Sequence, residues 1–479
     1  MNFNIVWDLA FGIWNFVEML DLSKIKKIYF IGIKGSGMVA LVEILQKRGY
    51  QINGSDTTEK FFTDEILKKK LFVKYHEGFD ADHITSEIDL VVYSTAYNAE
   101  NNSEFKAAKF KSLPMISYPE LLGLLFSQKY GIAVCGTHGK TTTTAILAEV
   151  FRVSGFNPTA VVGSLVRQWQ SSALVGKSEF MIIEADEYQG KFKYYNPQAV
   201  ILTSADWDHP DYFPTYEDYK DTFLEFVQKI PRHGFLVVCG DRGDTLEIAK
   251  TAKCNVTKYG FGKDNDMKIK KYKLKDGKQI FELWQGDKNL EEFELELPGR
   301  HNVLNAAAAL AMGYKFNADM EKAKEALANF EGTSRRFEYI GKRNGAILID
   351  DYGHHPEEVK ATLRAAREFF PKRRIWCVFH PHTFTRTKAL LAEFAQSFED
   401  ADRVIVLDIY GSAREVQGGV HSRDLVELAQ KYHHNIEYIP TISDVIKYLA
   451  DKIGREDLVI TLGAGNVWEV AEGLKKENC

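Results

Sequence analysis

The sequence predicts an α/β protein of several domains, each built on a parallel β-sheet. Short apolar runs alternate with helical patterns along most of the chain, which is typical of buried parallel strands joined by helices. Glycine-rich turns at 32–37 and 136–139 each join an apolar run to a helical pattern. The length of 479 residues exceeds that of one typical domain. These observations together indicate doubly wound α/β domains.

The composition and charge argue against several classes of protein. Hydrophobic residues make up 45% of the chain and charged residues 27%, which is ordinary for a globular protein. A net charge of -5 argues against a general nucleic-acid-binding protein. Five scattered cysteines without a CxxC pair fit a reducing compartment, and they argue against a disulfide framework or a zinc site. We therefore expect a cytoplasmic protein.

Residues 1–25 form an N-terminal extension that we expect to be helical. Acidic residues interrupt its apolar run, and no basic segment or cleavage site accompanies it, so a signal peptide and a membrane span are both disfavoured. We expect a helix packed on the body of the protein, without stable membrane insertion; weak membrane association or a partner contact are alternatives. The spacing fits one helical face at Ile5, Leu9, Ile13, Phe16 and Leu20.

Residues 26–128 are predicted to form the first domain, which opens as a βαβ unit. A strand at 27–33 ends in the glycine turn 32–37, and a helix at 38–48 follows. Asp56 comes after the second strand. This arrangement predicts a site for a diphosphate-bearing nucleotide. The glycine spacing differs from that of the NAD fingerprint, and Asp56 could instead cap a helix or lie in a solvated turn.

Residues 129–331 are predicted to form the middle domain, which opens with a phosphate loop. An apolar strand leads into Gly136-Thr137-His138-Gly139-Lys140-Thr141. The glycines let backbone N–H groups close on phosphate oxygens, Lys140 supplies a charge for the β- and γ-phosphates, and Thr141 can hold Mg²⁺. Val134 stands where the standard P-loop carries glycine, so the loop is a shorter variant. An ordinary strand–turn–helix corner with a surface lysine is the alternative.

Two acidic tracts follow predicted strands of the middle domain. The strand at 180–184 ends in Glu184-Ala185-Asp186-Glu187, where carboxylates beside a phosphate loop would hold Mg²⁺. The strand at 199–203 leads to Asp208 and His209, which indicate a second metal or a transition-state contact. The alternative for these acidic residues is a solvated loop.

Polar side chains near the end of the middle domain suit a nucleotide base. His301, Asn302 and Asn305 stand at the start of a predicted alanine-rich helix. Asparagine and histidine can bind the edge and the face of a purine. Asn302 could instead cap the helix.

Residues 332–479 are predicted to form a further doubly wound domain, with polar clusters at 350–356 and 380–387 after two of its strands. Histidine and arginine there suit the binding of a carboxylate and the handling of an amine. No cysteine joins either cluster, so a zinc site is disfavoured. Arg335 and Arg336 could reach a γ-phosphate from the domain boundary, or they could be ordinary surface arginines. The predicted strands lie at 346–350, 374–379, 403–407 and 458–462.

Taken together, these motifs resemble those of the Mur ligases, the ATP-dependent amide-forming enzymes of bacterial peptidoglycan precursor synthesis. The matching tracts occur in the family's order and extend over nearly the whole chain after residue 26, so that jointly they are highly specific. They lie at 136–141, 184–187, 208–209, 299–306, 335–336, 350–356 and 380–387.

The resemblance implies a three-domain α/β fold: an N-terminal Rossmann-like UDP-sugar domain, a central P-loop ATPase-like domain with a parallel sheet, and a C-terminal Rossmann-like domain. It also implies ATP, Mg²⁺ and UDP-N-acetylmuramate, whose lactyl carboxylate would become an acyl phosphate that an amine attacks. Tracts 31–38, 136–141, 351–356 and 408–410 are similar to family members that use L-alanine. Tract 206–213 is similar to members that reattach a recycled tripeptide, which is the alternative function.

Residue by residue, the resemblance implies the following roles. ATP would contact Gly136, Thr137, His138, Gly139, Lys140, Thr141, Thr142, His301, Asn302, Asn305, Arg335, Asp350 and Asp351. Metal ligands would be Thr141, Glu184 and His209. The UDP-sugar would contact Gly32, Gly35, Ser36, Gly37, Asp56, His76, Ser94 and Thr95. Alanine and the acyl phosphate would contact Tyr352, His354, His382 and Arg386. The catalytic set would be Lys140, Glu184, His209, Arg335, His354, His382 and Arg386.

Some positions depart from the family pattern. Lys34 stands where the alanine-using members usually carry glycine, and Gln189 stands where aspartate would be commoner. Two other classes of function remain alternatives. A nicotinamide oxidoreductase leaves the phosphate loop unexplained. A non-catalytic regulator with a degenerate ATP site predicts the loss of Lys140, Glu184 or His209, and all three are present.

Overall fold

The computed structural model describes residues 20–61, 63–411, 415 and 417–476. Most of the predicted N-terminal helix therefore lies outside the described residues. The chain divides into two compact units. One unit comprises the described residues up to Ala133 together with Phe156–Glu184 and Lys191–Ala199, and the other comprises Val134–Gly155, Ala185–Gly190 and the described residues from Val200 onward.

The first sheet is five-stranded and parallel, in the order β3-β2-β1-β4-β5. The strand order reverses between β1 and β4, which creates a crevice at their carboxyl ends, the usual ligand position in such sheets. The strands are β1 (Lys27–Ile31), β2 (Gln51–Asp56), β3 (Tyr75–Glu77), β4 (Leu90–Tyr93) and β5 (Met115–Ser117). The helices are Ser36–Lys47, Thr63–Glu65, the π-helical Ile66–Lys70, Ser103–Phe110 and Tyr118–Ser127, with 3₁₀ turns at Leu22–Lys24 and Ala81–His83.

The second sheet is ten-stranded and mixed, in the order β15-β14-β13-β12-β11-β10-β6-β9-β7-β8. The strands are β6 (Tyr130–Cys135), β7 (Thr159–Val166), β8 (Ser171–Leu174), β9 (Phe180–Glu184), β10 (Ala199–Leu202), β11 (Phe235–Cys239), β12 (Asn255–Gly260), β13 (Met267–Lys275), β14 (Lys278–Gln285) and β15 (Lys288–Leu295). The helices are Lys140–Val153, Tyr216–Gln228, Gly243–Ala249, Arg300–Lys315 and Met320–Ala328, with 3₁₀ segments at Arg167–Trp169 and Tyr188–Tyr194.

The parallel middle sheet expected from the sequence is thus extended by antiparallel strands. Two-residue turns, at Asp276-Gly277 and Gly286-Asp287, join β13 to β14 and β14 to β15. A turn this short can only connect antiparallel neighbours, and left-handed backbone at Asp276, Gly277 and Gly286 fits such hairpins.

The third sheet is six-stranded, in the order β16-β17-β21-β18-β19-β20, and only β16 is antiparallel to its neighbour. Because β17, β21 and β18 are parallel neighbours, the loops after them lie at one edge of the sheet. The strands are β16 (Glu338–Arg343), β17 (Ala346–Asp351), β18 (Arg374–Phe379), β19 (Arg403–Val406), β20 (Ile436–Tyr438) and β21 (Asp457–Leu462). The helices are Pro356–Phe369, Phe384–Ala389, Leu391–Ala395, Ser422–Ala429, Ile442–Ala450 and Trp468–Lys476.

Apolar clusters cover both faces of the third sheet. One contains Leu363 and Phe394, and the other contains Leu449 and Val470. Burial of both faces explains why the strands of this sheet are short continuous apolar runs. Within the described part of the chain, every helix falls short in length or in apolar character of what crossing a membrane requires.

Candidate active site

The phosphate loop lies between β6 and the helix that begins at Lys140. Gly139 precedes this helix in a left-handed conformation, with φ of 78°. Gly136 has φ of 130°, and a Cβ atom there would lie only 2.8 Å from the backbone nitrogen of Ser204. The first turn of the helix carries no acidic residue, so its N–H groups offer a favourable position for an anion. The loop therefore has the geometry that the sequence predicted for binding phosphate.

Lys140 folds back over the phosphate loop in this structure. Its ammonium group donates to the carbonyl oxygen of Gly136 at 2.5 Å and to that of Thr137 at 3.3 Å. It also lies 3.2 Å from a carboxylate oxygen of Glu187. Thr141 is buried just behind it, in the first turn of the helix. The ammonium group of Lys140 is thus held beside an acidic side chain.

An acidic cluster lies next to Lys140 and can hold a metal ion. One ligand atom from each of Asp186, Glu187 and His209 lies within 4.8 Å of the other two. His209 has a left-handed backbone with φ of 55°, and its ring stacks on that of Tyr188 at a centroid distance of 4.5 Å. Two carboxylates and an imidazole form a chemically suitable ligand set for a divalent cation.

Glu184 has a different environment from these cluster residues. Its carboxylate accepts a hydrogen bond of 2.7 Å from the backbone of Gly163, in the first unit of the chain. Of the metal ligands expected from the sequence, His209 belongs to this cluster of described residues. The other two members, Asp186 and Glu187, come from the acidic tract that begins at Glu184. The sequence pointed to this tract as a source of metal ligands, but Glu184 was the carboxylate named as a ligand.

His138 of the phosphate loop forms ion pairs with two carboxylates. Its ring nitrogens lie 3.4 Å from an oxygen of Asp206 and 3.2 Å from an oxygen of Glu358. Burial lowers the pKa of His138, but its interactions with Asp206 and Glu358 outweigh burial and raise it to about 9. His138 is therefore a cation at neutral pH. Sequence reasoning missed Glu358, which is the third residue of the helix Pro356–Phe369 and also accepts a hydrogen bond from the backbone of His355.

Arg386 connects the loop after β10 to the third sheet. Its Nε atom donates to Asp208 at 2.8 Å, and its Nη1 atom lies 3.2 Å from a ring nitrogen of His382. The rings of His382 and His354 are edge-on at 5.9 Å. Burial, followed by the charge of Arg386, lowers the pKa of His354 to about 4. Burial and the neighbouring His354 and Arg386 lower that of His382 to about 2. Both imidazoles are therefore neutral at pH 7.

The side chain of Arg335 forms hydrogen bonds to residues of the third sheet and of the loop that follows β21. Its guanidinium donates to Asp350 at 2.9 Å and to the carbonyl oxygen of Gly463 at 2.6 Å, and it lies over the ring of Tyr352 at 5.0 Å. Asp351 accepts hydrogen bonds from the backbones of Phe337 and Gly353, and burial raises its pKa to about 6. Arg335 could meet a γ-phosphate only after exchanging some of these contacts.

The residues expected at the adenine end gather at the start of one helix. Gly299 precedes this helix, whereas the amide of Asn302 donates to the carbonyl oxygen of Pro298, so Asn302 is not the helix cap. Asn305 donates to Asn302 at 3.1 Å. A Cβ atom on Gly139 would collide with the Oδ1 atom of Asn305. The phosphate loop and Asn305 are therefore direct neighbours.

The residues expected to bind the UDP-sugar lie in the first unit, around the carboxyl ends of the first sheet. Gly32 follows β1 with φ of 83°, and Gly35 precedes the helix that contains Ser36 and Gly37. The Asp56 carboxylate accepts hydrogen bonds from the backbones of Lys34 and Thr57. Ser94 and Thr95 come directly after β4, and the exposed His76 lies in β3.

Lys34 is a further residue of this turn, and its role was not expected. Its side chain is buried, and its ammonium group donates to the carbonyl oxygens of Thr57 and Glu59, each at 2.8 Å. It also lies 3.3 Å from Asp64. The lysine ties the glycine turn to the segment that follows β2. In the sequence, the sole sign of this role was a lysine at a position where glycine is usual.

Comparison with known proteins finds three family models along the chain. The model described as the Mur ligase family, catalytic domain, matches residues 27–130. The Mur ligase middle domain matches 134–313, and the Mur ligase, glutamate ligase domain, matches 335–465.

Relatives of similar length have been named. The UDP-N-acetylmuramate–L-alanine ligase of Caldanaerobacter subterraneus subsp. tengcongensis is 38% identical, over 96% of this chain and 99% of that protein. The protein of the same name from Desulfitobacterium hafniense is 40% identical, over 93% of this chain and 99% of that protein.

Solved structures show the same fold. The UDP-N-acetylmuramate-alanine ligase of Thermotoga maritima has a TM-score of 0.80 at 24% identity, covering 94% of this chain and 99% of that one. A murein peptide ligase from Psychrobacter arcticus has a TM-score of 0.70 at 22% identity, covering 94% and 98%. With its near-full-length relatives and its ordered set of domain matches, the chain belongs to the Mur ligase family.

Proposed function

We propose that this protein joins L-alanine to the lactyl carboxylate of UDP-N-acetylmuramate at the expense of ATP, in peptidoglycan precursor synthesis. The named relatives support the substrates, because their identity of 38% or more extends over nearly the whole of both chains. The observation that carries the chemistry is the contact between Arg386 and Asp208. It brings a neutral histidine cluster and the loop that contains the metal-ligand candidate His209 into one site. The reducing compartment indicated by the cysteines supports a cytoplasmic location for this reaction.

The phosphate loop would bind the triphosphate of ATP. Its glycines and the helix that begins at Lys140 supply N–H groups to phosphate oxygens. Lys140 would exchange its contacts with Gly136 and Glu187 for the β- and γ-phosphates. His301 and the asparagine pair Asn302–Asn305 would contact the adenine end.

The residues near Lys140 suit Mg²⁺. Asp186, Glu187 and His209 offer two carboxylates and an imidazole close together, and Thr141 and Glu184 remain further candidate ligands. When bound, Mg²⁺ would neutralise charge on the phosphates that Lys140 holds. His209 is fixed for this role by its stacking on Tyr188.

The first chemical step activates a carboxylate. The lactyl carboxylate of the sugar attacks the γ-phosphorus of ATP; the bond between that phosphorus and the β–γ bridging oxygen breaks, and ADP and an acyl phosphate form. Positive charge from Lys140 stabilises the transferred group, and Arg335 would add to it. Activation is needed because a carboxylate is a poor electrophile, whereas phosphate is a good leaving group.

The second step forms the amide. The amino group of alanine must lose a proton to solvent to become a nucleophile. The imidazoles of His354 and His382, which are neutral because burial and nearby charges lower their pKa values, would contact the amine without placing a further positive charge beside it. The amine attacks the acyl carbonyl, a tetrahedral intermediate forms, and its collapse releases phosphate and leaves the amide. Arg386 would hold the carboxylate of alanine or the acyl phosphate, since its guanidinium already lies beside His382.

The UDP-sugar would bind in the first unit. The strand order reverses between β1 and β4, and the expected residues follow both strands. Backbone N–H groups at Gly35, Ser36 and Gly37 begin a helix and suit a diphosphate. The Asp56 carboxylate already accepts a hydrogen bond from the backbone N–H of Lys34, so it stabilises the conformation of the glycine turn.

A phosphate-release assay tests the proposal. The reaction should require UDP-N-acetylmuramate, ATP, Mg²⁺ and L-alanine, and omission of any one should abolish release of phosphate. The second candidate is ligation of a recycled tripeptide, which the similarity of tract 206–213 to such enzymes favours. Turnover with the tripeptide and none with L-alanine would overturn the first proposal in favour of the second. Glycine and L-serine should be assayed alongside, because one methyl group in a pocket contributes only ~1–3 kcal/mol to selectivity.

A further inference from the structure

Tyr219 is a buried residue that the reaction described above does not use. It lies on the helix Tyr216–Gln228 and has no exposed surface. Its ring packs edge-on against those of Phe213 and Phe223, each at a centroid distance of 5.1 Å. These contacts fix the ring on both sides, so the position of the hydroxyl group is fixed as well.

The hydroxyl group of Tyr219 lies between the phosphate loop and the acidic cluster. It donates to a carboxylate oxygen of Glu187 at 3.0 Å and lies 2.9 Å from the hydroxyl oxygen of Thr137. Thr137 in turn donates to the carbonyl oxygen of Asp206 at 2.7 Å. Since a tyrosine has a single hydroxyl proton, a bond to the charged Glu187 is the stronger use of it.

The importance of the hydrogen bond from Tyr219 to Glu187 depends on where the ammonium group of Lys140 lies. In this structure Glu187 is buried and is held by both Lys140 and Tyr219. When Lys140 turns to bind phosphate, its ammonium group leaves Glu187. Tyr219 then remains as the fixed donor that keeps the carboxylate oriented toward Asp186 and His209. Groups that orient metal ligands in this way typically affect metal affinity by 10–100-fold.

We propose that Tyr219 is a positioning residue that orients Glu187 for binding of the divalent cation and couples it to Thr137 of the phosphate loop. This inference rests on the proposed metal-dependent ligation. It assigns a function to a side chain that would otherwise belong only to the core.

The experiment compares Tyr219→Phe with a matched control, Tyr259→Phe. Tyr259 is also fully buried in the second unit, but it lies in β12, where its hydroxyl group faces Cys239. Binding of Mn²⁺ alone to the purified full-length chains is followed by electron paramagnetic resonance of the free ion. Turnover is then measured against Mg²⁺ concentration, and thermal unfolding reports the general cost of losing a buried hydroxyl group.

We expect Tyr219→Phe to weaken Mn²⁺ binding about tenfold and to raise the Mg²⁺ concentration for half-maximal turnover by a similar factor. The KM for L-alanine should stay unchanged, and Tyr259→Phe should bind Mn²⁺ like the parent. Equal Mn²⁺ affinity in Tyr219→Phe and the parent would overturn the inference, as would equal weakening in both variants. A parent chain that binds no Mn²⁺ would also overturn it, even if ligation of alanine is observed, so the two proposals fail separately.

Discussion

The guanidinium of Arg386 lies 2.8 Å from the carboxylate of Asp208, and the two side chains are only 4% and 7% exposed. Burial of a charge is costly unless a partner compensates it, so each side chain requires the other. Burial raises the pKa of the Asp208 carboxyl, but the neighbouring charges, of which that of Arg386 is the largest, together outweigh burial and hold this pKa well below its usual range. The pair therefore joins the loop after β10 to the histidine cluster and stays charged at neutral pH.

Asp208→Asn should destabilise the protein strongly. The substitution keeps the shape but leaves Arg386 without its counter-charge, which costs about 3–5 kcal/mol when a buried pair is broken. Urea unfolding measures the change. The control is Glu247→Gln, which breaks the more exposed pair between Lys220 and Glu247 at a cost of roughly 0–1 kcal/mol. Equal unfolding midpoints for the two variants would contradict the importance of the buried pair.

Lys140→Ala should abolish ligation. The ammonium group contacts the carbonyl oxygens of Gly136 and Thr137 in the phosphate loop. Loss of one transition-state contact of this kind costs about 10²–10³-fold in kcat. Phosphate release at saturating substrates measures the effect. Lys220→Ala, which removes a lysine from a neighbouring helix of the same unit, serves as the control. Near-normal turnover in Lys140→Ala would refute the role of the loop.

Local pattern was enough to predict much of the fold. The strands at 180–184 and 374–379 have the predicted bounds, because continuous apolar runs between helices are distinctive. The strands β13 and β15 were not predicted from the sequence. Each has one exposed face rich in charged residues, so neither forms the continuous apolar run by which the other strands were recognised. Their turns, at Asp276-Gly277 and Gly286-Asp287, were the available signal.

The site was predictable only in part, for a physical reason. A phosphate loop is a local feature, so its glycines and Lys140 are visible as a motif. Contacts such as those of His138 with Glu358 and of Tyr219 with Glu187 join residues far apart in sequence. Their partners depend on how β10, β17 and the helices pack, and a motif carries no information about that packing.

Gly136→Ala should destabilise the phosphate loop more than an ordinary glycine substitution. An added Cβ atom would meet the Thr203 side chain and the backbone of Ser204, which cannot move independently of β10. Gly155→Ala is the matched control, because Gly155 is also left-handed but nothing lies within 4 Å of its Cβ position. The control should cost ~1–2 kcal/mol from backbone strain alone. Thermal unfolding of both variants gives the difference, and equal costs would refute the close packing at Gly136.

Lys34→Met should weaken binding of the UDP-sugar without slowing the chemical step. The change removes the donor to Thr57 and Glu59, so the segment after β2 loses its tie to the glycine turn. We expect KM for UDP-N-acetylmuramate to rise about tenfold, which corresponds to roughly 1.4 kcal/mol, while kcat stays near that of the parent. Lys26→Met, at an exposed lysine in the same unit, is the control. An unchanged KM would show that the tie is irrelevant to this substrate.

The ion pairs of His138 should make stability depend on pH in the alkaline range. The pKa of His138 is raised to about 9 by Asp206 and Glu358 against the opposing effect of burial, whereas an unfolded histidine has a pKa near 6.5. The folded state therefore binds the proton more tightly, and this contribution is fully present below about pH 6.5 and is lost as the pH rises through about 9.

For His138→Gln, which keeps a polar side chain without the titrating charge, we expect a shallower loss of stability between these values. The contribution is on the order of 3 kcal/mol, and urea unfolding at a series of pH values measures it. Because Asp206 and Glu358 keep their pKa values below the usual range, they remain charged across this window and do not produce the same slope. A parent and a variant with parallel stability curves between pH 6.5 and 9 would mean that His138 is neutral in the folded protein, and that the phosphate loop lacks this second positive charge.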